Sequence, residues 1–352
     1  MSELPLVSIV IPCRNEEVFI GRCLDSILAN DYPTDRLEVL VIDGLSTDRT
    51  REIVARYVER YAFIKLLTNP RKVTSAALNL GIKHANGDLI MWMSAHATYN
   101  EGYISSCVKA LERYDADNVG GITLSLPRNW SRIGKAIAAT FSHPLGSGNA
   151  RYRMQVAEPT WVDTVFGGCY RREVFQRIGL FNEKLVRSQD VEFNVRLQKA
   201  GGRILLVPEA VAYYYIRSDL LSFVRHNWLN GMWAVLPLAY SNVVPVSWRH
   251  LVPLGLVSSV LVTGALGALF PPVRWFFSGI VGAYIMATLA GSAGIAWRRR
   301  DPWMLLLMPI AFASLHLPYG FGSLWGLLQT LWLLTTGKAS RGGAGGVAEA
   351  SH

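Results

Sequence analysis

Cysteine is scarce in this 352-residue chain, and the four present, Cys13, Cys23, Cys107 and Cys169, form no CxxC pair and no metal-ligand spacing. A disulfide-stapled scaffold is excluded, and a fold made in a reducing compartment fits. Charge is thin as well, at 17%. With 51% hydrophobic residues there is enough apolar mass to offset chain entropy, which excludes a disordered chain. Glycine follows no period, so a collagen-like repeat is excluded too. Two phosphate-binding signatures are missing. The first turn after an apolar β-type run reads Pro12-Cys13-Arg14-Asn15-Glu16-Glu17, without glycine, so a GxGxxG dinucleotide fingerprint cannot form there. No Walker-type P-loop occurs either. The first 20 residues carry Glu3, Arg14, Glu16 and Glu17 and no long apolar core, unlike a signal peptide.

What is abundant is apolar sequence at the C-terminal end. Through Asp219 there are 27 Lys and Arg against 24 Asp and Glu; from Leu220 onward there are 8 against 2. Uncharged runs cover 251–273, 275–297 and 302–337, of 23, 23 and 36 residues. About 20 apolar residues span a bilayer, so the first two runs predict membrane helices. One helix over the third would be about 54 Å long, and Pro318, Gly320 and Gly322 near its middle predict two short helices with a break. Arg298, Arg299 and Arg300 separate the second run from the third, Arg249 precedes the first, and only Arg274 lies between the first two. The positive-inside rule then places residues 1–218 and the triple arginine in the cytoplasm. Lys338 and Arg341 belong on the same side, which favours four spans over three. The basic excess fits anionic lipid headgroups and not nucleic acid. The Gly-, Ala- and Ser-rich tail, 338–352, reads as disordered.

The first half alternates strands and helices. Leu6 to Pro12, Glu38 to Asp43, Phe63 to Leu67 and Asp88 to Met93 read as buried strands. Glu17 to Leu28, a segment from Thr47 or Asp48 to Tyr61, and Thr74 to Ala85 read as helices between them. Such pacing predicts an α/β domain with a Rossmann-like parallel sheet. Ligands bind outside the carboxyl ends of such strands, where Arg14-Asn15-Glu16, Asp43-Gly44 and Ser94-Ala95-His96 gather.

Val7 to Glu17, Val41 to Thr50, Ala76 to Ile82 with Ala85-Asn86-Gly87-Asp88, Gly167 to Glu183 and Gln189 to Arg196 resemble, in order, the motifs of family 2 glycosyltransferases. The resemblance covers about residues 6–215 and implies a GT-A fold. His143 to Asn149 and Val162 to Val165 are most similar to the succinoglycan-biosynthesis glucosyltransferases, which also carry membrane helices.

Glycosyl transfer needs a base for the acceptor hydroxyl and positive charge near the departing diphosphate. The resemblance puts Asp190 in the role of base and implies an inverting single displacement; without it, Asp190 reads equally well as a helix N-cap. It implies nucleotide-sugar binding by Pro12, Arg14, Glu16, Asp43, Lys72, Asn79 and Ser94, and an acceptor side formed by Asp163, Gly168, Arg225 and Trp228. Relatives hold Mg²⁺ or Mn²⁺ on an Asp-x-Asp motif where this chain reads Ser94-Ala95-His96. Imidazole suits Mn²⁺ better than Mg²⁺, so His96 is the candidate ligand. A weaker Mn²⁺ site, neutralisation by Arg or Lys without metal, and reduced activity all stay open.

Residues 219–249, with Arg225, His226, Trp228, Trp233 and Trp248, read as interfacial helices, and 250–337 as three or four membrane helices. Together these features predict a multi-pass protein of the bacterial inner membrane with its catalytic domain in the cytoplasm. The predicted reaction moves a hexose, of UDP-glucose type by resemblance, to a polyprenyl-diphosphate-linked oligosaccharide. A polyprenyl-phosphate glycosyltransferase and a non-catalytic nucleotide-sugar-binding scaffold are the alternatives.

Overall fold

The structure, a computed structural model, describes residues 4–148, 150–154, 156–241 and 248–336. Asn149 and the tail expected at 338–352 lie outside them. The chain opens with β1 (Val7–Cys13), α1 (Ile20–Leu28), β2 (Leu37–Asp43), α2 (Thr50–Arg60), β3 (Ile64–Thr68), α3 (Thr74–His84) and β4 (Leu89–Trp92). Then come β5 (Ala97–Tyr99), α4 (Tyr103–Arg113), β6 (Asn118–Pro127), α5 (Arg132–Phe141), α6 (Pro144–Ser147), β7 (Thr160–Trp161) and β8 (Gly168–Arg171). After α7 (Arg172–Ile178), α8 (Gln189–Lys199) and β9 (Ile204–Ile216), four helices close the chain: α9 (Leu220–Val235), α10 (Trp248–Leu269), α11 (Val273–Arg299) and α12 (Trp303–Thr335).

The nine strands form one sheet in the order β3-β2-β1-β4-β8-β6-β9-β5, with β7 on β9. β3, β2, β1 and β4 are parallel, and every residue of β2 is buried, as expected of a strand covered on both faces. Side chains alternate between two cores. Ile9, Ile11, Val39 and Val41 pack with α1 and α4, whereas Val10, Leu40 and Ile42 pack with α3 and α8. The register Pro12↔Ile42 and Cys13↔Asp43 ends β1 and β2 level. Beyond this edge Asn15, Leu45, Lys72 and Ser188 all take left-handed φ of 55 to 60°, a conformation non-glycine residues hold only where their surroundings impose it.

The C-terminal third departs from the four-span expectation. Three helices among the described residues are long and apolar enough to cross a membrane, and the run expected to break at Pro318 is the single helix α12, with Pro309 and Pro318 inside it. Pro318 has no N–H to give the Ser314 carbonyl, but Asn227 Nδ2 of α9 donates to that oxygen at 3.4 Å. The glycines expected to mark the break instead permit close packing: a Cβ on Gly322 would collide with the Trp228 carbonyl, and one on Gly320 with that of Pro253.

Candidate active site

The carboxyl ends of β1 and β4 bring Glu16 and His96 together. Glu16 Oε1 lies 2.8 Å from His96 Nδ1, and Arg128 Nη2 approaches Glu16 Oε2 at 3.9 Å. The other imidazole nitrogen, Nε2, is 3.0 Å from the Tyr214 hydroxyl on β9, placed there by the antiparallel pairing of β5 with β9. Burial disfavours the imidazolium, but Tyr214 and Glu16 outweigh it and raise His96 to about 9.

Around Tyr214 the positive groups converge. Arg217, just past the end of β9, donates from Nη1 to His226 Nδ1 at 2.7 Å. Arg187, three residues before Asp190, approaches the same nitrogen at 3.4 Å and donates to Asn230 Oδ1 at 2.9 Å. Burial and then the two arginines hold His226 well below its ordinary pKa, so it is neutral and accepts. Burial and the neighbouring Arg217 pull Arg187 down to about 10, still protonated at neutral pH. Its Nε is buried without a hydrogen-bond partner among the described residues. Arg153, 3.2 Å from Ser125 Oγ, joins His96 and Arg217 in holding the Tyr214 phenol below its ordinary value despite burial. Glu16 pairs with His96, and Asp219 lies within the field of Arg217. Among the described residues no carboxylate forms an ion pair with Arg153, Arg187 or Arg217, so this positive potential suits an anion.

Asp190 sits in the first turn of α8 behind Ser188, whose φ is 60°. No side chain makes an ion pair with it among the described residues, and burial pushes its carboxyl above the usual range against its backbone hydrogen bonds. Ser188 Oγ donates to the Trp233 carbonyl at 3.0 Å, fixing the start of α8 against α9.

The other predicted residues divide. Pro12 is the next-to-last residue of β1, and Arg14 lies over Gly44, its Cβ and Cδ 3.4 Å from where a Cβ would stand there. Lys72 is exposed at a left-handed position. Asp43 is fully buried and already bound by Arg51 Nη1 at 2.7 Å and by Ser46 N–H. Asn79, expected to meet nucleotide, is instead a buried bracket: it donates to the Phe181 carbonyl at 2.9 Å and Glu183 Oε1 at 2.8 Å, and accepts from Phe181 N–H. Ser94 closes β4, its N–H donating to Tyr99 Oη at 2.7 Å. On the acceptor side, Asp163 pairs with Arg249 Nη2 at 3.1 Å. Gly168 has φ 126° and a Cβ there would strike Asn118 Oδ1, so its local requirement is backbone shape. Arg225 and Trp228 are exposed on α9, while His226 and Asn230 of the same helix face the arginines. Tyr214, Arg153, Arg187, Arg217 and His226 were not among the predicted residues. The nearest signal was the Arg225-His226-Asn227-Trp228 stretch.

The donor set does not fit a divalent cation. Both nitrogens of His96 are engaged, Ser94 supplies no carboxylate, and no cluster of three or more His, Cys, Asp or Glu side chains capable of holding a metal occurs among the described residues.

Residues 8–179 match the family model for glycosyl transferase family 2. Over those residues the sheet domain is similar to family 2 glycosyltransferases. The whole chain is similar to a Methanococcus voltae dolichyl N-acetyl-α-D-glucosaminyl phosphate 3-β-D-2,3-diacetamido-2,3-dideoxy-β-D-glucuronosyltransferase, 29% identical over 92% of this chain and 97% of that one. It is 28% identical to the Rhizobium meliloti succinoglycan biosynthesis protein ExoA, over 89% and 92% of the two chains. Among solved structures, the Pyrobaculum calidifontis mannosyltransferase PcManGT, in complex with GDP-Man and Mn²⁺, aligns with a TM-score of 0.57 at 20% identity, over 92% and 88%. That likeness carries the fold: a GT-A-like sheet domain followed by C-terminal helices.

Proposed function

We propose that this family 2 domain transfers a hexose from a nucleotide sugar to a lipid-linked glycan, with inversion, at the cytoplasmic face of a bacterial plasma membrane. The observation that carries this reading is the pairing of an unneutralised carboxylate, Asp190, with the arginine cluster that begins three residues before it. The acceptor hydroxyl oxygen bonds the anomeric carbon as the bond from that carbon to the diphosphate oxygen breaks, its electron pair leaving with the diphosphate. Asp190 takes the hydroxyl proton; its raised pKa brings it closer to working pH, where a general base is most effective. Arg187 and Arg217 meet the negative charge that develops on the leaving group, from positions already fixed by His226 and Asn230. Arg14, Glu16 and Lys72 line the nucleotide side, and Asp43 holds Arg51 behind them.

Mn²⁺ or Mg²⁺ was expected from the family resemblance, and PcManGT was solved with Mn²⁺. The side chains here do not fit such an ion, so no step is assigned to it. A lipid-linked acceptor agrees with the dolichyl-linked substrate named for the Methanococcus relative and with the apolar helices that follow the domain.

The test is nucleotide release from a panel of nucleotide sugars by the purified full chain, with native lipid extract, alongside Asp190→Asn. Release should depend on one donor and on lipid, and should fall about 10²–10⁴-fold in the variant. Nucleotide binding by the parent chain without turnover would sink the catalytic reading and leave a binding scaffold.

A further inference from the structure

One face of α12 touches the catalytic domain along nearly the whole helix. Met304, Met308, Phe312 and Leu315 are buried with α5, Ile216 and Phe223. Farther along, Gly322 and Gly326 lie against Trp228 and Met232 of α9, and Ser323 Oγ donates to the Gly231 carbonyl at 3.1 Å. Near the end, Leu333 packs beside Trp233 and Leu236. Apart from the adjacent pair Gly322 and Ser323, these positions are spaced by three, four or seven residues, which is one helical stripe. From Met304 to Leu333 it measures about 44 Å, against a hydrocarbon core of about 30 Å. Were α12 to cross that core upright, it would carry α5, α9 and the end of β9 into lipid. Arg217 and Arg225 are exposed there, and a charged side chain at bilayer depth is costly. The opposite face presents Leu306, Ile310, Leu317, Phe321 and Leu328, all exposed.

α10 and α11 are built differently. The buried residues of α11 are Thr288, Ser292 and Ile295, all in its second half. The stretch 273–287 has none and is about 22 Å long. Trp275 and Trp297, both largely exposed, stand about 33 Å apart along the helix, one hydrocarbon thickness, where interfacial tryptophans belong.

We infer that only α10 and α11 cross the bilayer, and that α12 lies in the plane of the catalytic-side interface with its outer apolar face in the acyl chains. An in-plane helix sinks about 5–10 Å into the headgroup boundary. Two crossings return the end of α12 to the side of the catalytic domain, together with Arg298, Arg299, Arg300, Lys338 and Arg341. The even span count favoured by the charge pattern is thereby kept, with two spans in place of four.

Membrane-impermeant maleimide applied to spheroplasts expressing the full chain decides the matter. The four native cysteines are buried, so the parent gives a low background. Three variants mark the catalytic domain, the α10–α11 turn and the end of α12: Glu59→Cys, Pro271→Cys and Thr336→Cys. The expected result is labelling of Pro271→Cys in intact spheroplasts and of the other two only after lysis. Labelling of Thr336→Cys from the same side as Pro271→Cys would overturn the inference by making α12 a span. Failure of Pro271→Cys to label on the side opposite Glu59→Cys would overturn it by removing the hairpin. A fusion of green fluorescent protein or alkaline phosphatase to the C-terminus reads the same point without touching a helix: fluorescence with no phosphatase activity is expected, and phosphatase activity refutes it.

Discussion

At the scale of single residues, two side chains carry opposite parts of the proposed chemistry, and each makes its own prediction. Asp190 accepts a proton only when ionised, and burial raises its pKa. The acid limb of the kcat/KM profile should therefore fall at a pH above the ordinary carboxyl value of about 4. A limb at or below that value would mean that Asp190 is solvated during turnover. Arg217 and Arg187 are the charges proposed to meet the departing diphosphate. Removing one preorganised charge from a leaving group typically costs about a hundredfold in rate. Arg217→Gln should show a loss of that order, whereas EDTA should leave the parent rate unchanged. Mn²⁺-dependent release with a silent Arg217→Gln would reverse the assignment. His96 illustrates how a side chain's neighbours limit its role. With Glu16 on Nδ1 and Tyr214 on Nε2, it joins β1 to β9 as an ion-pair partner.

At the scale of elements, the close fit of α9 on α12 is held by small residues. A Cβ on Gly322 would collide with the Trp228 carbonyl and one on Gly231 with that of Tyr319, and backbone does not yield as a flexible side chain would. Gly322→Ala or Gly231→Ala should destabilise the chain by about 1–3 kcal/mol, read as a fall in the thermal midpoint in detergent. An unchanged midpoint would mean that the two helices are not in contact. The same interface marks the limit of what the sequence discloses. Strands β1 to β4 and helices α1 to α3 were legible because each is a local pattern, buried β-type runs alternating with helical spacing. Asp190 and Glu16 were singled out through motif blocks; what the structure adds is their surroundings, His96 on Glu16 and the first turn of α8 around Asp190. Arg187, Arg217, His226 and Tyr214 come from three separate elements and meet only through tertiary packing, so no spacing announces them. Asn79 was misassigned because a buried amide bracketing Phe181 and a helix-surface amide have the same local sequence. The continuity of α12 was hidden for a related reason: the group that covers the carbonyl freed by Pro318 is Asn227, 87 residues away.

At the scale of the whole molecule, the sheet domain and the apolar helices are joined beside the residues proposed for the acceptor side. Arg249, at the start of α10, pairs with Asp163 at 3.1 Å, and its Cβ is 3.4 Å from a Cβ built on Gly148. Leu145, in the stretch most like the succinoglycan-type relatives, gives its carbonyl to His316 of α12 at 2.8 Å, and His143 lies across Phe312 with ring centroids 5.7 Å apart. These contacts hold the loops proposed for the acceptor side against helices long and apolar enough to cross a membrane. Asp163 is 52% exposed, and a pair with one partner so open contributes at most about 1 kcal/mol to folding. Arg249→Gln should therefore leave the thermal midpoint nearly unchanged. If Asp163 must be held in place to receive a lipid-linked glycan, the same variant should raise KM for that acceptor while leaving nucleotide-sugar KM as it was, because Glu16, Arg187 and Arg217 lie in other elements. Equal changes in both constants would show that Arg249 acts on the domain as a whole. No change in either would detach Asp163 from acceptor binding and leave the ion pair as a tether between the domain and its membrane helices.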